Sequence, residues 1–222
     1  MVAGFVAGTV AGFAVGTLGE YLMHRFMHDG RVLQRVHGRH HLLGVGQGWL
    51  GELLDYSRGG VPAAVALAAP FCWPLRLPSV GLGLAVGAGL HMAAAAYSHQ
   101  VQHERPELVF WMRKPVHHLH HRHRMWKTNF GISTDFWDRV FGTYEDTPWN
   151  PTRRGLEHAM LDFLRIDWGS PPKLDRAARA RWEREVVRRN RSSRDPQTSP
   201  PSPKASKTNH PATATRSAPG PS

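Results

Sequence analysis

Sulfur and negative charge are both scarce in this chain. A single cysteine, Cys72, excludes an internal disulfide, and its place in an apolar stretch makes it inert. Only 17 Asp and Glu stand against 28 Lys and Arg. No charge of either sign precedes Glu20 in the opening run "MVAGFVAGTVAGFAVGTLGEYLM". A secretory signal needs a basic segment ahead of its apolar core and a small-residue cleavage site. With nothing basic in front, and with Glu20 and Arg25 directly behind, the run is expected to be a retained membrane helix. About 20 apolar residues suffice for a crossing. A long internal repeat is also missing.

The positive excess is uneven. Lys173 to Ser222 carries 12 basic and 4 acidic residues, so this tail supplies +8 of the net +11. On a membrane protein such a tail marks the cytosolic face or touches anionic lipid, so nucleic acid is not expected as a partner. The mean hydropathy of −0.40 averages apolar segments with this polar end. We expect a folded domain over 1–170, a basic helical segment over 171–190 and a disordered Pro/Ser/Thr-rich tail over 191–222.

A second apolar region runs from Val61 to Tyr97 and breaks near Pro70, Pro74 and Pro78. It reads as a hairpin, Val61 to about Leu75 and Val80 to Tyr97. Arg25, Arg31, Arg35, Arg39 and the basic stretch from Arg105 to Arg191 flank these segments, whereas the hairpin turn holds only Arg76. The positive-inside bias then places the histidine-rich parts in the cytosol, with about three crossings. "GWLGELLDY" and "ELVFWMRKPV" read as helices lying in the headgroup plane. Gly4, Gly8, Gly12 and Gly16 form a smooth stripe against which another helix can approach closely, within the chain or in a dimer. The expected fold is all-α, an integral membrane helical bundle with a cytosolic, histidine-rich, metal-binding helical cap.

Histidine is what the chain has in excess. Of 15 histidines, 13 lie between His24 and His123. His24 and His28 are one HxxxH pair, and His99 and His103 are another. His37, His40 and His41 form HxxHH, as do His117, His120 and His121. On a helix, positions i, i+3 and i+4 share one face. Four such faces converging offer two, three, two and three imidazoles, ten in all, enough for two first-row metal ions with room for oxygen or water. A solvated basic surface does not explain two HxxHH and two HxxxH clusters at the ends of apolar segments. His91, inside the hairpin arm, is a core residue or a support for the ligands. His118 and His123 lie off the HxxHH face, as supports or exposed residues, and His158 and His210 stand outside the constellation.

"HRFMH", "HGRHH", "SHQVQH" and "HHLHH", in this order around an apolar hairpin, together with "NFGISTDFWDRVFGTYED", resemble the fatty acid hydroxylase and sterol desaturase superfamily of membrane di-iron enzymes. The resemblance covers about residues 10 to 150. It implies that the ten histidines are ligands of two irons. It also implies that Glu20 and Asp135 or Asp138 orient imidazole N–H groups, with Asn129, His91 and His118 as further supports. The implied reaction uses O2 and two electrons to hydroxylate, or to desaturate, an unactivated carbon of a lipid, most simply a fatty acyl chain or sterol-like molecule entering from the bilayer. With no electron-transfer domain in these residues, it implies an external electron donor. Arg25, Arg122, Arg124 and Lys127 would hold an anionic headgroup or, more simply, anchor the cytosolic face. The alternatives are a carotenoid hydroxylase with similar boxes, a zinc-binding membrane protein without redox chemistry, and a bis-histidine haem protein. "WDRVFGT" favours the fatty acid and sterol branch. A transporter would want ionisable residues along its spans, and a haem needs only two facing histidines.

Overall fold

A computed structural model describes residues 1–150, 162, 164–169, 180, 184, 187 and 188. The expected tail over 191–222, His158, His210 and most of the expected basic helix over 171–190 lie outside the described residues.

The described chain is helical throughout, with no strand among the described residues. Helix α1 spans Val2–His28, α2 Gln34–Leu43, α3 Trp49–Cys72, α4 Pro78–Glu104, α5 Val116–His123 and α6 Phe136–Val140. Helix α4 is the middle of the bundle, packed by α1 on one side and α3 on the other. The end of α1, the start of α3 and the end of α4 meet at one pole, and there α2, α5 and the 124–135 loop build a cap.

Close approach of α1 to α4 explains the glycine stripe. A Cβ on Gly8 would overlap the Val80 carbonyl, and one on Gly12 the Leu84 carbonyl. From the other side, Gly83 and Gly87 leave room for the Phe5 and Thr9 carbonyls. The stripe is thus used within the chain, glycine against glycine. Val2, Val6 and Val10, on the opposite face of α1, are exposed, as are Leu82, Val86 and Leu90 of α4. These faces suit lipid rather than water. Gly12→Val should force the two helices apart and destabilise the bundle by about 1–3 kcal/mol. Thermal unfolding in detergent measures this, and an unchanged Tm would mean that the tight α1–α4 contact is absent.

Two helices, α1 and α4, are long and apolar enough to cross a bilayer. The hairpin's first arm departs from expectation. "GWLGELLDY" is not a separate interfacial helix but the first turns of α3, which continues through Pro62 and Pro70 to Cys72. Its start is held by the 164–169 segment, where the Asp167 and Trp168 carbonyls accept the Trp49 and Leu50 N–H groups. With Glu52, Asp55 and Arg58 in those turns, only residues 59–72 of α3 are free of charge. That is about 21 Å of helix against a hydrocarbon core of about 30 Å. "ELVFWMRKPV" is likewise no helix beyond a single 3₁₀ turn at Pro106–Leu108. Pro106 precedes it and Pro115 lies near its end, and each denies the chain a backbone donor.

Candidate metal centre

Both HxxxH pairs fall in the last turns of the long helices, and each HxxHH box fills a short cap helix. Their faces converge on one buried volume. His24, His28, His37, His41 and His120 gather in one group, and His40, His99, His103 and His117 in a second. The boxes divide between the groups. On α2, His37 and His41 face the end of α1 while His40 faces α4. On α5, His117 joins the α4 group and His120 the α1 group. His121 stands at the junction, stacked on His41 at 4.0 Å between ring centroids and 4.6–4.7 Å from His40, His103 and His117.

The nitrogens are spaced as ligands are. In the first group, Nε2 of His28 lies 2.8 Å from that of His37, 3.2 Å from His41 and 2.9 Å from His120. In the second, Nε2 of His40 lies 3.1 Å from those of both His99 and His103, and His117 is 3.3 Å from His103. An ion holding imidazoles at about 2.1 Å puts adjacent nitrogens about 3 Å apart. Without a cation the lone pairs would face one another. The Nε2 of His24 and both ring nitrogens of His121 are buried without a hydrogen-bond partner.

On two of these rings the other nitrogen is tethered outward, whereas Nδ1 of His28, His117 and His121 is buried without a hydrogen-bond partner. His24 Nδ1 lies 2.6 Å from the Phe130 carbonyl and His120 Nδ1 2.8 Å from the Thr128 carbonyl. A carbonyl accepts only, so each Nδ1 carries the proton and each Nε2 is left as a donor pair for metal. Burial keeps the cap imidazoles neutral. It pushes His37 and His120 down to about 3 and His41 to about 2, with neighbouring histidines adding to the shift. His40, His117 and His121 are also pushed well below the ordinary histidine value, mainly by burial. Neutral imidazole is the form that binds metal.

The carboxylates fall elsewhere than the resemblance implied. Glu20 does not orient an imidazole of either group. Its Oε1 accepts from the backbone N–H of Ile132 and Ser133 and from the Ser133 hydroxyl, and its Oε2 lies 3.2 Å from His91 Nε2. Asp135 pairs with Arg139 near the surface. Asp138 acts one step removed. Fully buried, it accepts from Phe130 N, Gly131 N and Thr143 Oγ1, and so holds the turn whose Phe130 carbonyl meets His24. Burial raises its carboxyl, and those hydrogen bonds oppose the rise. Asn129, at φ 59°, bonds Glu145 through both amide atoms and shapes the same turn. His118 turns away, toward the Gln102 carbonyl and Trp149.

The "NFG…WDR…FGT" stretch is therefore a buckle. It grips one stripe of α1, where Thr17, Glu20, Tyr21 and His24 are all buried. Trp137 donates to Thr17, Tyr21 bonds Thr143 and stacks on Phe141, and Gly131 has no space for a Cβ beside the Thr134 carbonyl.

The carboxylate that reaches an imidazole of the two groups was missed. Glu52 Oε2 lies 2.8 Å from His99 Nδ1, off the ideal N–H line, while its Oε1 accepts the Gln47 N–H. It is 3% exposed. The sequence signal was a lone acid among "WLGELL", on the face of α3 turned to α4. Glu52→Gln should weaken metal retention about 10–100-fold, read by chelator competition. Retention equal to that of the wild type would make the contact incidental.

A helical membrane bundle that closes four histidine faces around buried, unpartnered nitrogens defines a class: an all-α membrane protein with a cage suited to metal. A model of the fatty acid hydroxylase family matches residues 9–143, and the chain belongs to that family. It is 28% identical over 156 residues to the dihydroceramide fatty acyl 2-hydroxylase of Arabidopsis thaliana, covering 62% of this chain and 60% of that one. It is 29% identical over 152 residues to the ceramide very long chain fatty acid hydroxylase of Schizosaccharomyces pombe, covering 60% and 41%. It is 30% identical over 158 residues to the fatty acid 2-hydroxylase of Rattus norvegicus, covering 63% and 40%. The matches thus span less than two thirds of these relatives. No solved structure matches.

Proposed function

We propose that the chain is a membrane di-iron oxygenase that hydroxylates the fatty acyl chain of a lipid, with carbon 2 of a ceramide-type acyl group as the first target to test. The observation that carries the metal is the pair of histidine groups with nitrogens 2.8–3.3 Å apart. The ten histidines His24, His28, His37, His40, His41, His99, His103, His117, His120 and His121 would hold two iron ions. These supply the O2 activation that an unactivated C–H bond needs and no side chain provides. The substrate class rests on the family and on the names of the three relatives, each a fatty acid or fatty acyl hydroxylase. The same comparisons favour hydroxylation over desaturation and an acyl chain over a carotenoid.

The residues of this chain do the positioning. The Phe130 and Thr128 carbonyls fix the tautomers of His24 and His120, and Glu52 lies 2.8 Å from His99 Nδ1, where a small turn of the ring would do the same. The histidine rings and Phe130 keep water from the nitrogens, and burial keeps protons off them. By the positive-inside bias the cap faces the cytosol, where a separate protein delivers electrons. The acyl chain arrives from the bilayer beneath the cap.

The test is metal analysis of detergent-purified protein from iron-replete cells, beside lipid analysis of those cells. About two irons per chain, with 2-hydroxy acyl lipids appearing on expression, is the expected outcome. A histidine cage also suits zinc, which has no redox chemistry of its own. Two zinc ions that iron reconstitution fails to replace, with no hydroxylated lipid, would support a non-redox protein instead.

A further inference from the structure

Among the described residues, three aromatic side chains outside the histidines touch the ten imidazoles. Phe130, 2% exposed, lies 5.5–5.9 Å from His24, His28 and His120 between ring centroids. Tyr56 stands 6.4 Å from His99 and is half-buried. Trp126 differs from both. Its ring lies 5.3 Å from His28 and 5.2 Å from His41, yet it is 53% exposed. One π-system therefore touches two members of the five-histidine group and reaches solvent.

The backbone holds it there. Helix α5 stops at Arg124, which is left-handed at φ 53°. Met125 N then bonds the His120 carbonyl and Trp126 N the Arg124 carbonyl, folding the chain back on the helix. The rim is cationic. Arg122, His123, Arg124 and Lys127 are all exposed, and no acidic residue occurs from Val116 to Thr128.

We infer that Trp126 is the port through which electrons enter the metal centre, from an acidic one-electron carrier protein docked on the Arg122–Lys127 rim. The inference rests on the di-iron reading. Hydroxylation consumes the C–H substrate, one O2, two electrons and two protons, and yields the alcohol and one water. A one-electron carrier is oxidised once per encounter, so each turnover needs two encounters. Tunnelling weakens steeply with distance, and a surface ring in contact with His28 and His41 shortens the gap. The cationic rim steers an acidic carrier and holds it over the ring. Exposed tryptophan beside basic residues also serves as a headgroup anchor. Here, however, the ring packs on His41 of α2, in the cap rather than in a spanning helix.

The test uses the full iron-loaded chain in lipid nanodiscs, with a plant-type [2Fe–2S] ferredoxin as the acidic probe and dithionite as a small reductant. Stopped-flow spectroscopy follows metal reduction, and surface plasmon resonance follows binding of oxidised ferredoxin to the same iron-loaded protein. For Trp126→Leu, the limiting ferredoxin-driven reduction rate should fall, because no ring then bridges solvent and the His28 and His41 imidazoles. Trp126→Phe should recover part of it, and dithionite should reduce all three proteins alike. For Arg122→Glu with Lys127→Glu, affinity should fall about tenfold or more and lose its salt dependence, with the limiting rate retained. Wild-type rates and affinities in every variant would overturn the port and leave the di-iron reading standing. The same result with weakened binding to vesicles of anionic lipid would make Trp126 a membrane anchor. A wild-type metal that dithionite cannot reduce would overturn both readings.

Discussion

Replacing His41 and His120 together by alanine should empty the five-histidine site and abolish lipid hydroxylation. His41 Nε2 lies 3.0 Å from that of His37 and 3.2 Å from that of His28, and His120 Nε2 is 2.9 Å from that of His28. The double change removes two of five donors from one ion and leaves a buried gap among the remaining rings. Loss of a group that merely supports a ligand costs about 10–100-fold in affinity or activity. Loss of two donors should therefore exceed about 100-fold. Metal content should fall from about two ions per chain toward one. Helical content by circular dichroism should persist, because the α1–α4 and α3–α4 contacts lie away from both residues. Metal retained at two per chain would remove these histidines from the cage.

Acid should destabilise the metal-free protein well before it titrates carboxylates. His37, His41 and His120 are held to about 3, 2 and 3 by burial, whereas in an unfolded chain they titrate near 6.5. The unfolded state therefore binds more protons at every pH between those values, and stability rises with pH across the window. The contribution is fully present above about 6.5 and is withdrawn as pH falls toward 3. Each imidazole withdraws up to about 1.4 kcal/mol per pH unit. Between pH 7.5 and 5.5 the metal-free Tm should drop by about 5 °C or more. With metal bound, protons must first displace the ion, so the curve should stay level to lower pH and break where metal is released. A metal-free Tm that is flat over this range would show that the imidazoles are not buried as neutral bases.

The histidine boxes were legible because a helix turns i, i+3 and i+4 to one side, which the sequence displays directly. The division of labour was not. His40 parts company with its neighbours His37 and His41 because α2 lies between the ends of α1 and α4, a relation set by tertiary packing. The glycine stripe announced a close helix contact without naming α4 as the partner. Glu52 was hidden because its imidazole lies 47 residues away and its own turn read as an interfacial segment. Glu20 misled for the converse reason. Nearness in sequence to His24 suggested a contact with a ring of the cage, but the carboxylate meets the 132–133 backbone and His91 instead. Asp138 does influence His24, through a peptide group rather than directly, and a motif cannot show that link.

The longest reach in the cage runs from His24 on α1 to His120 on α5, 96 residues apart. At about 5–20 residues per second, a ribosome makes the first pair of imidazoles roughly 5–20 s before the box that completes their site. The membrane helices can be inserted and paired in that interval, while the upper layer is still unfinished. On the proposed reading, metal acquisition would fall at the close of biogenesis, and the ion would act as the final latch on a lid whose parts were delivered in sequence. A cell short of iron would then accumulate inserted, unlatched chains, so the abundance of this protein would follow iron supply through turnover as well as through synthesis.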